Sequence, residues 1–151
     1  MDIRLANESD ISHLIAISEA ADSAAHWTLQ QWTDIFRTQV PPRFAWIACQ
    51  EGNQQGIGFL VAQHNRPEWE LENIAVLAEF RRRGVAAQLM SALFNQARAS
   101  QAERILLEVR ASNLSACRFY DVSGFQVLAR RRAYFANPVE DALIMVRTFE
   151  N

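Results

Sequence analysis

Three apolar runs between residues 44 and 76 are separated by short polar breaks. FAWIACQ (44–50) and GIGFLVAQH (56–64) flank a polar, glycine-containing connection and predict a β-hairpin. RPEWELENIAV (66–76) predicts a third strand of the same meander. Its alternation is not clean, because Trp69, Leu71, Asn73 and Ala75 oppose Glu70, Glu72, Ile74 and Val76, so an irregularity or bulge is expected there. On either side the period changes. DIRLA (2–6) predicts a short first strand, and NESD offers Asn7 or Ser9 as a helix cap. Residues 11–25 carry Ile11, Leu14 and Ile15 at helical spacing. Residues 26–39 predict a second short helix capped by Thr28, with Trp32, Ile35 and Phe36 on one side, until VPPR breaks it. Residues 85–100 predict a long helix with a broad apolar face of Val85, Leu89, Leu93 and Ala97 together with Ala86, Met90 and Phe94. RILLEVRA (104–111) predicts a strand, NLSACRFYDVS (113–123) a short helix stopped by Gly124, and residues 125–135 and 141–149 two closing strands. The order β-α-α-β-β-β-α-β-α-β-β predicts one α/β domain over residues 1–151. Its expected form is a mixed, predominantly antiparallel sheet flanked by helices.

Composition narrows the chemistry. Of 151 residues, half are hydrophobic, and the formal net charge is −2. That balance suits a globular core and supplies no global field toward nucleic acid or anionic membrane. All fifteen basic residues are arginine, since lysine is absent. A Walker phosphate loop and pyridoxal chemistry both need a lysine, so both are excluded. Cys49, Cys117, His13, His26 and His64 are scattered, with no zinc-site spacing, and the cysteines are expected as small buried apolar residues. No signal peptide or membrane span is expected, which leaves the cytoplasm as the expected location; a monomer is expected as well.

The chemistry concentrates at EFRRRGVAAQLM, residues 79–90, where strand, glycine turn and helix start follow one another. That arrangement points unpaired backbone N–H groups and the positive end of a helix dipole at an anion. Arginines at such a start have the wrong sign for the dipole, which argues against a purely structural role. RRRGVA lacks the spacing of a dinucleotide fingerprint.

RRRGVA, preceded by ENIAV, resembles the acetyl-coenzyme A turn of the GNAT N-acetyltransferases, and the element order is similar to that fold throughout. LEVRASN, the tyrosine helix ending in GF, and RRxY…EDAxIM narrow the resemblance to the ribosomal-protein-alanine N-acetyltransferases. The resemblance implies acetyl transfer from acetyl-coenzyme A, as cosubstrate and without a metal, to an N-terminal alanine of a small-subunit ribosomal protein. It implies that Ile74, Ala75 and Val76 hold the pantetheine arm, with the Val76 N–H polarising the thioester carbonyl. Arg82, Arg83, Gly84, Val85, Ala86 and Ala87 would cradle the pyrophosphate, and Asn113 would touch the cofactor while capping its helix. Glu108 would be the base and Tyr120 the acid. A mid-strand carboxylate is expected to be partly buried or paired, with Arg110 the nearest candidate partner. Arg130–Arg132 would form the rim of a peptide channel, and Trp27, Trp32 and Tyr134 its walls. Two rival readings stay open: acetylation of another amine, such as a lysine or small molecule, and a binding module without turnover. The presence of both Glu108 and Tyr120 favours turnover. No direct contact with nucleic acid or membrane is expected.

Overall fold

The computed structural model describes residues 1–21, 25–37 and 40–149. The predicted helical stretches over 22–24 and 38–39 lie outside the described residues. The strands are β1 (Asp2–Leu5), β2 (Arg43–Cys49), β3 (Gly56–Asn65), β4 (Glu68–Val76), β5 (Arg104–Arg110), β6 (Gln126–Phe135) and β7 (Glu140–Thr148). The helices are α1 (Ile11–Ala20), α2 (Leu29–Ile35), α3 (Val85–Ala99) and α4 (Leu114–Val122), with short 3-10 turns at Glu8–Asp10 and Ala78–Phe80. The strands form one seven-stranded sheet in the order β1-β2-β3-β4-β5-β7-β6. Every neighbouring pair is antiparallel except β4 and β5.

Each face of the sheet has its own core. On one, Val85, Leu89, Met90 and Leu93 of α3 and Tyr120 of α4 pack with Trp46, Leu60, Trp69, Ile105 and Leu107. On the other, Leu14 and Ile17 of α1 and Trp32 and Ile35 of α2 pack with Ala45, Ile47, Phe59 and Ala75. Strand alternation makes this division, since successive side chains point to opposite faces. Each fully buried large apolar side chain stabilises the fold by about 1.5–3 kcal/mol.

The bulge expected in β4 is present. Val61 of β3 pairs with Asn73 and Ala62 with Leu71, leaving Glu72 as the extra residue. It also reverses the parity of the strand. Trp69 and Leu71 face the α3–α4 layer before the bulge, and Ile74 and Val76 face it afterwards. The blurred alternation in the sequence is therefore the trace of one inserted residue.

Asp10 ties the entry of α1 to β1. Its carboxylate accepts two hydrogen bonds from Arg4, each 2.8 Å, and one from the Asn7 N–H at 2.9 Å. The Arg4 guanidinium holds this buried carboxyl below the usual aspartate range, with the Asn7 bond helping and desolvation opposing. A depressed acid contributes stability that is present above its unfolded pKa and lost as pH falls through its folded one. Asp10→Asn is expected to cost about 1–2 kcal/mol in urea unfolding at neutral pH, discounted because Arg4 is partly exposed. The gap from wild type should narrow on acidification. An equal gap at every pH would mean that the charge contributes nothing.

Candidate active site

The parallel pairing of β4 with β5 runs only from Glu68↔Arg104 to Leu71↔Leu107. Both strands continue, β4 to Val76 and β5 to Arg110. A bulge bends and twists its strand, so β4 leaves β5 after Leu71, at the bulge residue Glu72, and the sheet splits. Leu77 donates to the Ile57 carbonyl at 2.9 Å. Peptide groups alternate along an antiparallel ladder, so those of Val76 and Ile74 turn from β3 toward the split. A sheet is otherwise a closed wall of paired backbone, and this split joins its two faces.

At the end of β4 stands the N-terminus of α3. Its cap, Gly84, is left-handed at φ +80, and among the described residues no side chain bonds the first-turn N–H groups. Nor does that turn hold any acidic residue. By contrast, Thr28 caps α2 and Asn113 caps α4 through their side chains. A Cβ built on Gly84 would meet nothing within 4 Å, so the space it faces is open. Arg82 is left-handed too, at φ +62. Gly58 lets the turn come close, since a Cβ there would lie 3.0 Å from the Ala75 carbonyl and 3.1 Å from Val85. Of the three arginines, Arg81 folds back, its Nε donating to the Val76 carbonyl at 3.2 Å. Arg83 lies over Phe80, 5.5 Å from the ring centre. The sequence showed a basic turn but not that its first arginine fastens β4 to it. Val85 is buried and Ala86 half-buried, while Arg82, Arg83 and Ala87 are exposed.

Tyr120 is buried on the α3–α4 side of the split, edge-on to Phe125. Burial, and secondarily Cys117, pushes its phenol up to about 12. Asn113 accepts from the Ala116 N–H at 3.2 Å, which confirms the expected cap.

Glu108 sits on the opposite face. Its neighbours Ile105, Leu107 and Val109 point into the α3–α4 core, and Glu108 points away from it. The residue as a whole is exposed, but its side chain is only 32% accessible, so the expected partial burial is met in part. Arg110 is not its partner. Arg110 pairs with Glu140 at 3.3 Å and covers the Phe135 ring, while Arg131 of β6 lies 3.9 Å from Glu108. The register explains this: Glu108 is level with Ile144 of β7, which is level with Ala129 of β6, so the β6 side chains reach over it. Tyr134 joins them. Its phenol is held above the usual tyrosine range by its hydrogen bond to Glu108 and that carboxylate's charge, with Arg131 opposing. Arg130 is paired with Asp141 at 2.7 Å.

Two of the three predicted groove walls are close to this face. Tyr134 is exposed beside Glu108. Trp27 is half-buried, 5.0 Å from Trp32, just after Ala25, whose carbonyl accepts from Asn73 at 3.1 Å. Trp32 is a correction. It is fully buried, edge-on to Phe59 at 5.1 Å, and belongs to the core. One charged neighbour was missed by the sequence reading: Glu70, half-buried on β4, whose carboxyl is raised by desolvation and then by Glu72 and Glu108.

Residues 10–125 match the acetyltransferase (GNAT) family. Over 140 residues the chain is 31% identical to the ribosomal protein bS18-alanine N-acetyltransferase of Salmonella typhimurium, covering 87% of this chain and 94% of that protein. Over 92 residues it is 38% identical to the protein of that name from Haemophilus ducreyi, covering 59% of this chain and 63%, under two thirds, of that one. The fold is similar to the crystal structure of the ribosomal-protein-S18-alanine N-acetyltransferase from Escherichia coli, with a TM-score of 0.87 at 26% identity, covering 99% of this chain and 94% of that chain.

Proposed function

The chain belongs to the acetyltransferase (GNAT) family, and from that premise we propose that it moves an acetyl group from acetyl-coenzyme A to the α-amine of an N-terminal alanine on a small-subunit ribosomal protein. The observation that carries this reading is the split after Leu71 beside an α3 start that has neither a side-chain cap nor an acidic residue in its first turn. The pyrophosphate lies against the backbone of residues 82–87, and the pantetheine arm runs along Ile74, Ala75 and Val76 in place of the lost partner strand. The thioester then sits within the split. Donor and acceptor approach from opposite faces and meet there, which supplies the positioning that direct attack chiefly requires.

The chemistry divides by face. An α-ammonium of pKa about 8 must lose a proton before it attacks, and Glu108, on the acceptor face, takes it. The Val76 N–H stabilises the developing oxyanion. The C–N bond forms, the C–S bond breaks, and Tyr120 protonates the sulfur from the donor face. A phenol raised to about 12 is fully protonated at neutral pH, so the donor is always loaded. A thiol of pKa about 8.5 in water is the weaker base, but the desolvation that raises the phenol also raises a thiolate leaving beside it.

The test is a panel of peptides with acetyl-coenzyme A. Alanine-start peptides should be acetylated at their α-amine, and the same peptides with a blocked N-terminus and an internal lysine should not. Transfer to lysine or to small amines would replace the proposed acceptor. Cofactor binding without any transfer would leave a binding module.

A further inference from the structure

We propose that Ser18 and Asn73 form a buried clamp on the Ala25 carbonyl, and that this clamp positions Trp27 against the acceptor. The proposal rests on the acetyl-transfer reading above and deepens its acceptor side. Among the described residues, the buried polar and charged ones are Asp10, Ser18 and Asn73. Asp10 is held by Arg4 and the Asn7 N–H. The other two come from elements far apart in the chain and donate to the same oxygen. The Ser18 hydroxyl of α1 lies 3.2 Å from the Ala25 carbonyl oxygen, and the Asn73 amide of β4 lies 3.1 Å from it. A carbonyl oxygen has two lone pairs, so two side chains saturate this one.

Two buried donors aimed at one acceptor specify where that acceptor stands. Apolar side chains would fill both places without the cost of desolvating a hydroxyl and an amide. Ala25 itself is exposed, so its carbonyl turns inward while the residue stays at the surface. The segment that this carbonyl carries is short. Trp27 is two residues on, and Thr28 then caps α2 through its side chain. Among the described residues no other hydrogen bond holds residues 25–27. The half-buried Trp27 ring rests on Trp32, 5.0 Å between centres. Release of the Ala25 carbonyl therefore loosens the indole that stands near the acceptor face.

The place of Asn73 on β4 ties the clamp to the split. It directly follows the bulge residue Glu72 and pairs with Val61 of β3. Ile74 and Val76 face the α3–α4 core and Ala75 the α1–α2 core, so Asn73 faces α1 and α2 as well. Without the extra residue, strand parity would put Asn73 on the other face with Trp69 and Leu71. The bulge that parts β4 from β5 thus also turns Asn73 toward Ala25. One inserted residue sets both the opening and the position of the wall beside it. Asn73 is followed by Ile74, Ala75 and Val76, along which the pantetheine arm is placed. The clamp therefore keeps the acceptor wall in step with the donor strand.

The experiment compares wild type, Ser18→Ala, Asn73→Leu and the double variant by steady-state kinetics on an alanine-start peptide, calorimetry of acetyl-coenzyme A binding and amide hydrogen exchange. Each single variant should raise the peptide KM by about 2–10-fold, the worth of one neutral hydrogen bond, at unchanged kcat and cofactor affinity. The double variant should exceed the product of the two, because either donor alone still holds the carbonyl. Exchange at residues 26–28 should quicken in the double variant. Trp27→Leu should also raise the peptide KM, and adding Ser18→Ala to it should raise it no further, because the residue that the clamp positions is gone. Should Asn73→Leu not fold, Ser18→Ala with and without Trp27→Leu decides. A wild-type KM in the variants overturns the proposal. So does a rise in KM matched by losses of kcat and cofactor affinity, which would mark a general loosening, and so does a Ser18→Ala effect that persists undiminished beside Trp27→Leu. Unchanged exchange at residues 26–28 in a double variant of an enzyme that acetylates the peptide overturns the clamp alone. A wild type that binds acetyl-coenzyme A but acetylates nothing overturns the acetyl-transfer reading and the clamp's role with it.

Discussion

Glu108→Gln is expected to lower turnover on an alanine-start peptide by about 10²–10⁴-fold at neutral pH, the usual contribution of a positioned general base. The substitution keeps the shape of the side chain and removes its capacity to accept a proton. The deficit should shrink as pH rises past the pKa of the α-amine, about 8, because the nucleophile is then already neutral. Tyr120→Phe should also slow turnover, and alkali should not rescue it, since the thiolate still leaves without a donor. Acetyl-coenzyme A affinity should be unchanged in both, because each contacts only the reacting end. The measurement is kcat against pH for the three proteins. Full activity of Glu108→Gln across the range would make Glu108 only the ion-pair partner of Arg131. A silent Tyr120→Phe would assign the final proton to solvent.

Gly84→Val should be the most damaging change to cofactor binding. Two effects combine. Gly84 has φ +80, where a side chain costs about 1–2 kcal/mol and a β-branched one more. A side chain would also project into the open space in front of the α3 N–H groups, where the pyrophosphate is placed. Where the turn relaxes out of the left-handed region to escape that strain, binding must restore it, which costs about 5–30-fold in affinity, since 1.4 kcal/mol is tenfold. Gly84→Asn separates the two effects, because asparagine tolerates the left-handed region yet still fills the space. Calorimetry should find both variants impaired. Asparagine binding as well as glycine would mean that the backbone, and not the space, accounts for the loss.

The sequence carried the elements and their order because each has a clear period and clear ends. Thr28 and Asn113 cap the helices expected of them, and Gly124 is left-handed at φ +94 where a stop was expected. The bulge was legible as spoiled alternation in β4. Its result was not, because the separation of β4 from β5 is a relation between strands distant in sequence. The same holds for β7 lying between β5 and β6, and hence for Arg131 and not Arg110 standing beside Glu108. Trp32 was misplaced for a different reason. Its spacing with Ile35 and Phe36 already marked a core-facing stripe, and that periodicity outweighs the attraction of an aromatic residue as a groove wall. Glu70 was hidden by its neighbours, since in EWELE nothing local distinguishes one glutamate from the next.

The strand order also fixes a schedule. β6 precedes β7 in the chain but joins the sheet's hydrogen-bond ladder only through it, and all but one of its ten residues are exposed. As a growing chain emerges, β6 therefore waits without a place until β7 has slotted beside β5. The elements proposed to hold the donor, β4 and α3 above all, are made before that moment. Arg131 and Tyr134, which dress Glu108, come into position only after it. The half of the site proposed to select an acceptor is thus the last to be assembled, hung on a frame that the proposed donor half has already completed.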